Sequence, residues 1–360
     1  MIISAVYLMV LVVTVTFGMM AQTNPKTRIT RTGAYSTRPD PVFAFVVAAT
    51  LIAVAGLRYR VGTDYMAYYR TRVTDWHTVW DYLIHFREPG IRLLSKISTV
   101  ILDDGATLIF ICSIIIIGIY SLMIYRYSPM YLVSVLIFLF LGDWTGSFNG
   151  IRQYLAAAIV FAGHRYILKR RFVPYLLTVL LAMLFHKSAA VMILPYFIFA
   201  RKPDTTQFVI LAAGALIVRL SYDVVINLIG LFKGTIIDWN DAYMTRDINP
   251  LRIAVGFVPV ILFFTSCDRK RMNRTQEFYM NGLLFHAFAM LASMGSAYLG
   301  RIGIHTGAIT CISYGYLFGM IPKEKHRNMI ILTVMLVFLV YWFFSLQTGN
   351  LRDFRWIFER

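Results

Sequence analysis

Residues 108–125 read LIFICSIIIIGIYSLMIY, and residues 329–346 read MIILTVMLVFLVYWFFSL. Neither run carries a charged side chain. An α-helix rises about 1.5 Å per residue, so each run nearly covers the ~30 Å of hydrocarbon in a bilayer. Hydrocarbon offers backbone amides no water, and a helix satisfies them internally. The rest of the chain agrees with these two runs. Of 360 residues, 58% are hydrophobic and only 15% charged, where soluble domains are about a quarter charged. A soluble fold could not bury this much apolar surface. A transmembrane barrel would show short alternating segments, and none is evident. The expected fold is therefore all-α, a polytopic membrane protein forming a single transmembrane domain over 1–360.

About twelve spans are expected, near 2–20, 41–57, 106–125, 130–142, 151–168, 172–186, 188–200, 207–231, 251–267, 278–300, 302–321 and 328–346. The fourth, sixth and seventh are short enough for tilted or re-entrant arrangements. The first lacks a basic n-region and a cleavage site, and reads as a retained span. Every second loop is short and basic: Lys26 to Arg38, Arg126, Lys169 to Arg171, Arg201 and Lys202, Arg269 to Arg274, and Lys323 to Arg327. By the positive-inside rule these loops face the cytoplasm and both termini lie outside. The outer face holds three longer pieces, 58–105, 232–250 and 347–360. The first has seven basic and six acidic residues, and amphipathic stretches at Thr78 to Phe86 and Ile91 to Leu102. Such helices can lie at a bilayer surface.

The net charge of +17 does not point to nucleic acid, because no segment resembles a nucleic-acid module. Membrane-surface anchoring and anionic substrates explain it better. Cys112, Cys267 and Cys311 have no metal spacing and read as small apolar packing residues. There is no phosphate-binding G-x-x-x-x-G-K-[ST] loop, no G-x-S-x-G elbow and no H-E-x-x-H. An enzyme of this kind would need a substrate that already carries its driving force and lives in the membrane. Neither a metal nor a cofactor is expected.

Four constellations carry chemistry. Arg58, Arg60, Gly62, Asp64, Tyr65, Tyr68 and Tyr69 leave the outer end of the second span. Guanidiniums bind phosphate bidentately, and the same residues also fit an interfacial belt. Asn149-Gly150-Ile151-Arg152-Gln153 opens the fifth span. An Arg at a helix N-terminus opposes the macrodipole and calls for a negative partner, unless it simply snorkels. His186, in LFHKS, sits between two short spans as a base or a structural hydrogen-bonder. Arg301 and His305 are four apart on one helix face. Arg219 and Asp223 have the same spacing and are expected to pair, and His164 with Arg165 to snorkel.

LRYRVGTDYMAYY, residues 57–69, resembles the opening signature of the EpsG-like branch of the Wzy polysaccharide polymerases. Glu88-Pro89-Gly90 resembles that family's Glu-x-Gly region. Residues 151–197, with Arg152-Gln153 and His186-Lys187-Ser188, are similar to its central stretch, and Gly300-Arg301-Ile302 to its late Arg-Ile step. The resemblance implies a GT-C-like helical architecture. It implies a glycosyltransferase that joins polyprenyl-pyrophosphate-linked oligosaccharide repeats at the outer face of the cytoplasmic membrane, for exopolysaccharide, capsule or O-antigen. Partners would be that lipid-linked glycan, membrane lipid, a chain-length regulator and other assembly proteins. Arg58, Arg60, Arg152 and Arg301 would then hold pyrophosphate. His186 would be the base, with Asp64 second and Gln153 and His305 as further candidates. Tyr65, Tyr68, Tyr69, Trp76 and Trp80 would line the sugar path. A lipid-linked oligosaccharide flippase and a membrane acyltransferase remain the alternative classes.

Overall fold

The computed structural model describes residues 4–29, 35–233 and 248–360. Its helices carry the fold, joined among the described residues by one short hairpin of Lys26–Ile29 antiparallel to Tyr35–Arg38. Among the described residues, three helices are long and apolar enough to cross a membrane: Ala5–Thr23, Gly105–Tyr127 and Glu324–Ser345. A fourth span is available if Thr205–Leu220 and Tyr222–Leu228, bent by 82°, are counted as one. Five shorter apolar helical stretches join them: Pro41–Gly56, Tyr131–Phe140, Phe172–Met183, Lys187–Ile198 and Pro250–Ser266. The protein is thus a multi-pass helical membrane protein, but the expected number of about twelve spans is not found among the described residues.

The difference has local causes. The segment expected at 188–200 is a 3-10 helix, Lys187–Ile193, followed by the five-residue helix Leu194–Ile198. Pro195 lacks an amide donor there. The stretch 278–300 stops after Ala292, and the turn that follows uses Gly295 at φ 85°. Ser296 then starts the short helix Ala297–Gly300 by accepting from Leu299 N. The stretch 302–321 divides into Ile302–Gly307 and Thr310–Gly319. Arg219 and Asp223 flank the 82° bend, and their expected ion pair is not among those formed by the described residues. Most of the outer piece 232–250 lies outside the described residues.

Loops with the same expected sidedness touch one another. Arg38 Nη1 donates to Arg126 O at 2.8 Å, Tyr316 OH to Tyr127 O at 3.2 Å, and Asp268 N to Met320 O at 3.0 Å. At the other end, Tyr59 N donates to Arg355 O at 2.8 Å and Ile357 N to Leu57 O at 2.7 Å. Tyr7 OH reaches Leu351 O at 2.7 Å, so the start of the first helix shares that end with the chain terminus. The two amphipathic stretches form helices Trp76–Ile84 and Pro89–Ile101. Asp75 caps the first by accepting from Thr78 N.

The core centres on Ile151–Leu168, buried around most of its circumference and packed against Gly105–Tyr127 and Phe172–Met183. Its Ala156-Ala157-Ala158 run lets those neighbours approach closely. His164, expected to snorkel, is instead buried, with Nε2 3.1 Å from Tyr279 OH. The N-terminus of this helix points to the same end as segment 57–69, because Arg152 N donates to Tyr68 OH at 3.4 Å.

Candidate functional site

The site begins with a glycine. Gly62 has φ 98°, which side-chain-bearing residues rarely adopt. A Cβ there would also lie 2.6 Å from Asn149 Oδ1. The tight turn lets Thr63 N donate to that oxygen at 2.7 Å, which ties segment 57–69 to the start of the Ile151–Leu168 helix. Asp64 and Tyr68 are thereby set on one wall of a cavity of about 440 Å³. Arg152 and Gln153 from the first turn of that helix line it as well, with His186, Arg252 and Arg301.

Glu88 organises one side of this cavity. Its backbone lies in the left-handed region at φ 59°, immediately before Pro89 opens the next helix. Its Oε2 accepts from Arg152 Nη1 at 2.7 Å. Its Oε1 accepts from Lys187 N at 3.0 Å and lies 2.8 Å from His186 Nδ1. Burial works to raise the Glu88 pKa, but His186, the Lys187 amide and Arg152 outweigh it and hold the carboxyl down at about 2. The negative partner demanded by an Arg at a helix N-terminus is therefore Glu88. His186 Nε2 faces the Gln153 amide nitrogen at 3.1 Å. With Glu88 Oε1 beside Nδ1 and the Gln153 amide donating to Nε2, the imidazole can present an Nε2 lone pair to take a proton.

The structure separates the expected site residues into two groups. Asp64, Tyr68, Arg152, Gln153, His186 and Arg301 meet at the cavity. Arg58 does not. It is 1% exposed, with Nε donating to Val61 O at 3.3 Å, Nη2 to Phe148 O at 3.1 Å and Nη1 to Ala55 O. Its guanidinium lies 4.5 Å from the Phe148 ring centroid. Arg58 thus clamps the backbone beneath the site. Arg60 is exposed over the Tyr59 ring and does not line the cavity. Tyr65 is buried and stacks on Tyr69 with centroids 5.8 Å apart, also away from the cavity. Trp76 and Trp80, 53% and 58% exposed, belong to the surface helix Trp76–Ile84 and do not line it either. His305 is buried behind the wall, with Nε2 2.8 Å from Ser188 Oγ.

Two residues escaped the sequence reading. Glu88 belongs to a quoted motif but was given no role. Arg252 opens the Pro250–Ser266 helix, which Asn249 caps by accepting from Leu251 N at 2.9 Å. For Arg252 a signal is present in the sequence: Asn149-Gly150-Ile151-Arg152 and Asn249-Pro250-Leu251-Arg252 share an Asn before a helix and an Arg in its first turn. Three guanidiniums and the Asp64 carboxylate thus line one polar cavity, with Glu88 paired to Arg152 at its edge. That balance suits an anion with more than one charge. Among the described residues, no group of three or more His, Cys, Asp and Glu side chains could hold a metal ion.

The family model that matches this sequence is that of the EpsG family, over residues 42–357. No curated protein and no solved structure matches, so a GT-C-like architecture rests on the resemblance alone.

Proposed function

Because the chain belongs to the EpsG family and so has a role in exopolysaccharide biosynthesis, we propose that it is the polymerase that joins polyprenyl-pyrophosphate-linked oligosaccharide repeats. The observation that carries this reading is the cavity in which Arg152, Arg252 and Arg301 face His186. In this reading the cavity opens to the outer face of the cytoplasmic membrane. The growing glycan enters on its lipid pyrophosphate, with the phosphates against the three guanidiniums. A sugar hydroxyl of a fresh repeat approaches His186 Nε2 and displaces the Gln153 amide. The bond from the anomeric carbon to the pyrophosphate oxygen breaks, and a bond from that carbon to the acceptor oxygen forms. The hydroxyl proton passes to His186, and the lipid pyrophosphate leaves as the anion the arginines already face.

Preorganised positive charge where negative charge develops contributes about 3–4 kcal/mol per group in favourable cases. A positioned base adds roughly 10²–10⁴-fold. Glu88 is a positioning residue here. It fixes the Nδ1 side of His186 and aims Arg152. Tyr68, on the cavity wall, is the one aromatic of the expected sugar path that remains well placed for it.

The test uses membranes carrying His186→Gln or Arg301→Ala, supplied with purified lipid-linked repeats and no acyl donor. The expected result is normal protein level with repeats left unjoined. Full-length polymer from both variants would remove the cavity from the reaction. Activity that appears only with an acyl donor would instead indicate an acyltransferase.

A further inference from the structure

The polar cavity is not closed on all sides. A second cavity of about 380 Å³ shares His186 and Arg301 with it and adds Lys187. Away from those residues and Ser188 its walls are mostly apolar, with Ala190, Val191, Leu194, Leu299 and Ile302. A third cavity of about 350 Å³ continues from it, because Val191, Leu194, Leu299 and Ile302 line both. The two make one trough between the segment Lys187–Ile198 and the helices Thr205–Leu220 and Arg274–Ala292. It follows the Thr205–Leu220 helix from Val218 to Gln207, about 16 Å at 1.5 Å per residue.

The trough exists because of two local features. Lys187–Ile193 is a 3-10 helix and Leu194–Ile198 a single short turn of α-helix, so this segment forms no full-length span. Gly214 lies in the middle of Thr205–Leu220, where glycine weakens a helix. A small residue in a membrane helix commonly admits a close neighbour. Here a Cβ at Gly214 would meet nothing within 4 Å. Its smallness therefore serves no helix contact and leaves the trough open.

We propose that this trough binds the isoprenoid tail of the lipid-linked substrate, with the pyrophosphate at its Arg301 and Lys187 end. The inference rests on the polymerase reading for the identity of the head group. Its own support is charge placement. Of the cationic groups of the upper cavity, Arg301 stands where it meets the polar cavity, and Lys187 lines the upper cavity next to the shared His186. Below them the lining is predominantly apolar as far as Arg201 at the opposite end. An amphiphile with an anionic head and a long hydrocarbon chain matches that sequence of surfaces. Its head keeps charged partners and its tail stays out of water. A free nucleotide-sugar or a soluble glycan would leave the apolar part empty.

The experiment uses the full chain in phosphatidylcholine nanodiscs. Three probes are compared by equilibrium binding: a long-chain polyprenyl pyrophosphate, geranyl pyrophosphate and inorganic pyrophosphate. Gly214→Trp fills the trough, Gly214→Leu fills it partly, and Gly118→Trp places the same bulk on another helix at a glycine that also has no neighbour within 4 Å. Gly214→Trp is expected to weaken the long-chain ligand roughly tenfold and leave the two short probes unchanged. Gly214→Leu should fall between, and Gly118→Trp should match the natural chain throughout. Long-chain binding unaffected by both Gly214 variants overturns the proposal, as does equal weakening by Gly118→Trp. If the natural chain binds all three probes with no preference for chain length, the trough assignment fails while the head-group site stands. If it binds none of them, the polymerase reading falls and this inference with it.

Discussion

Glu88→Gln is the most informative single change, because it removes a charge and preserves the shape. Glu88 is 13% exposed and meets His186, Arg152 and the Lys187 amide at once. Its carboxyl is held from an ordinary 4.5 down to about 2. A difference of that size corresponds to on the order of 3 kcal/mol favouring the ionised form in the folded protein. The sign follows from the depression. The stabilisation is fully present above the ordinary carboxylate value, and is lost as pH falls from about 4.5 through about 2. At neutral pH the amide forfeits it and leaves Arg152 and His186 facing a neutral group. Detergent-solubilised Glu88→Gln should therefore melt roughly 5 °C lower at pH 7. Its melting temperature should decline less than the natural chain's in that acid window. At a temperature where both are folded, polymer formation should drop roughly a hundredfold, since His186 is no longer held on its Nδ1 side. An unchanged melting temperature at pH 7 would refute the ion-pair account. An unchanged polymer ladder with a lowered melting temperature would leave Glu88 a structural residue and remove it from the positioning of His186.

Three further outcomes are expected. Arg58→Ala should lower the amount of folded protein in membranes, and Arg58→Lys should not restore it. The change leaves the buried carbonyls of Ala55, Val61 and Phe148 short of donors, at about 1–3 kcal/mol for each; abundant Arg58→Ala protein that fails only in polymerisation would return Arg58 to the anion site. Trp76→Ala and Trp80→Ala should leave polymer length unchanged, because both side chains are exposed and neither lines the cavity; shortened polymer from stable protein would restore them to the sugar path. Cysteines placed at Asp75 and Met272 should label from opposite sides of intact cells with a membrane-impermeant reagent, and labelling of both from one side would reverse the expected sidedness of one loop.

The sequence by itself determined that this is a helical membrane protein. Hydropathy is a local property: the runs at 108–125 and 329–346 are apolar whatever they pack against. Loop charge is equally local, and the loops around Arg38, Arg126 and Asp268 make contacts within the side their spacing implies. The motifs around Asp64, Arg152, His186 and Arg301 were legible for the same reason. What hydropathy could not give was where helices stop. The 3-10 turn after His186 and the 82° bend after Leu220 depend on which backbone groups find partners across the bundle. Nor could sequence rank the arginines. Arg58 and Arg152 both stand at the ends of apolar segments beside aromatic residues. Packing turned one guanidinium inward onto three backbone carbonyls. It gave the other a carboxylate 64 residues away in the chain. A buried charge takes the partner that the fold brings within hydrogen-bond reach, so only the tertiary structure decided that Arg58 holds the chain together while Arg152, Arg252 and Arg301 face the cavity.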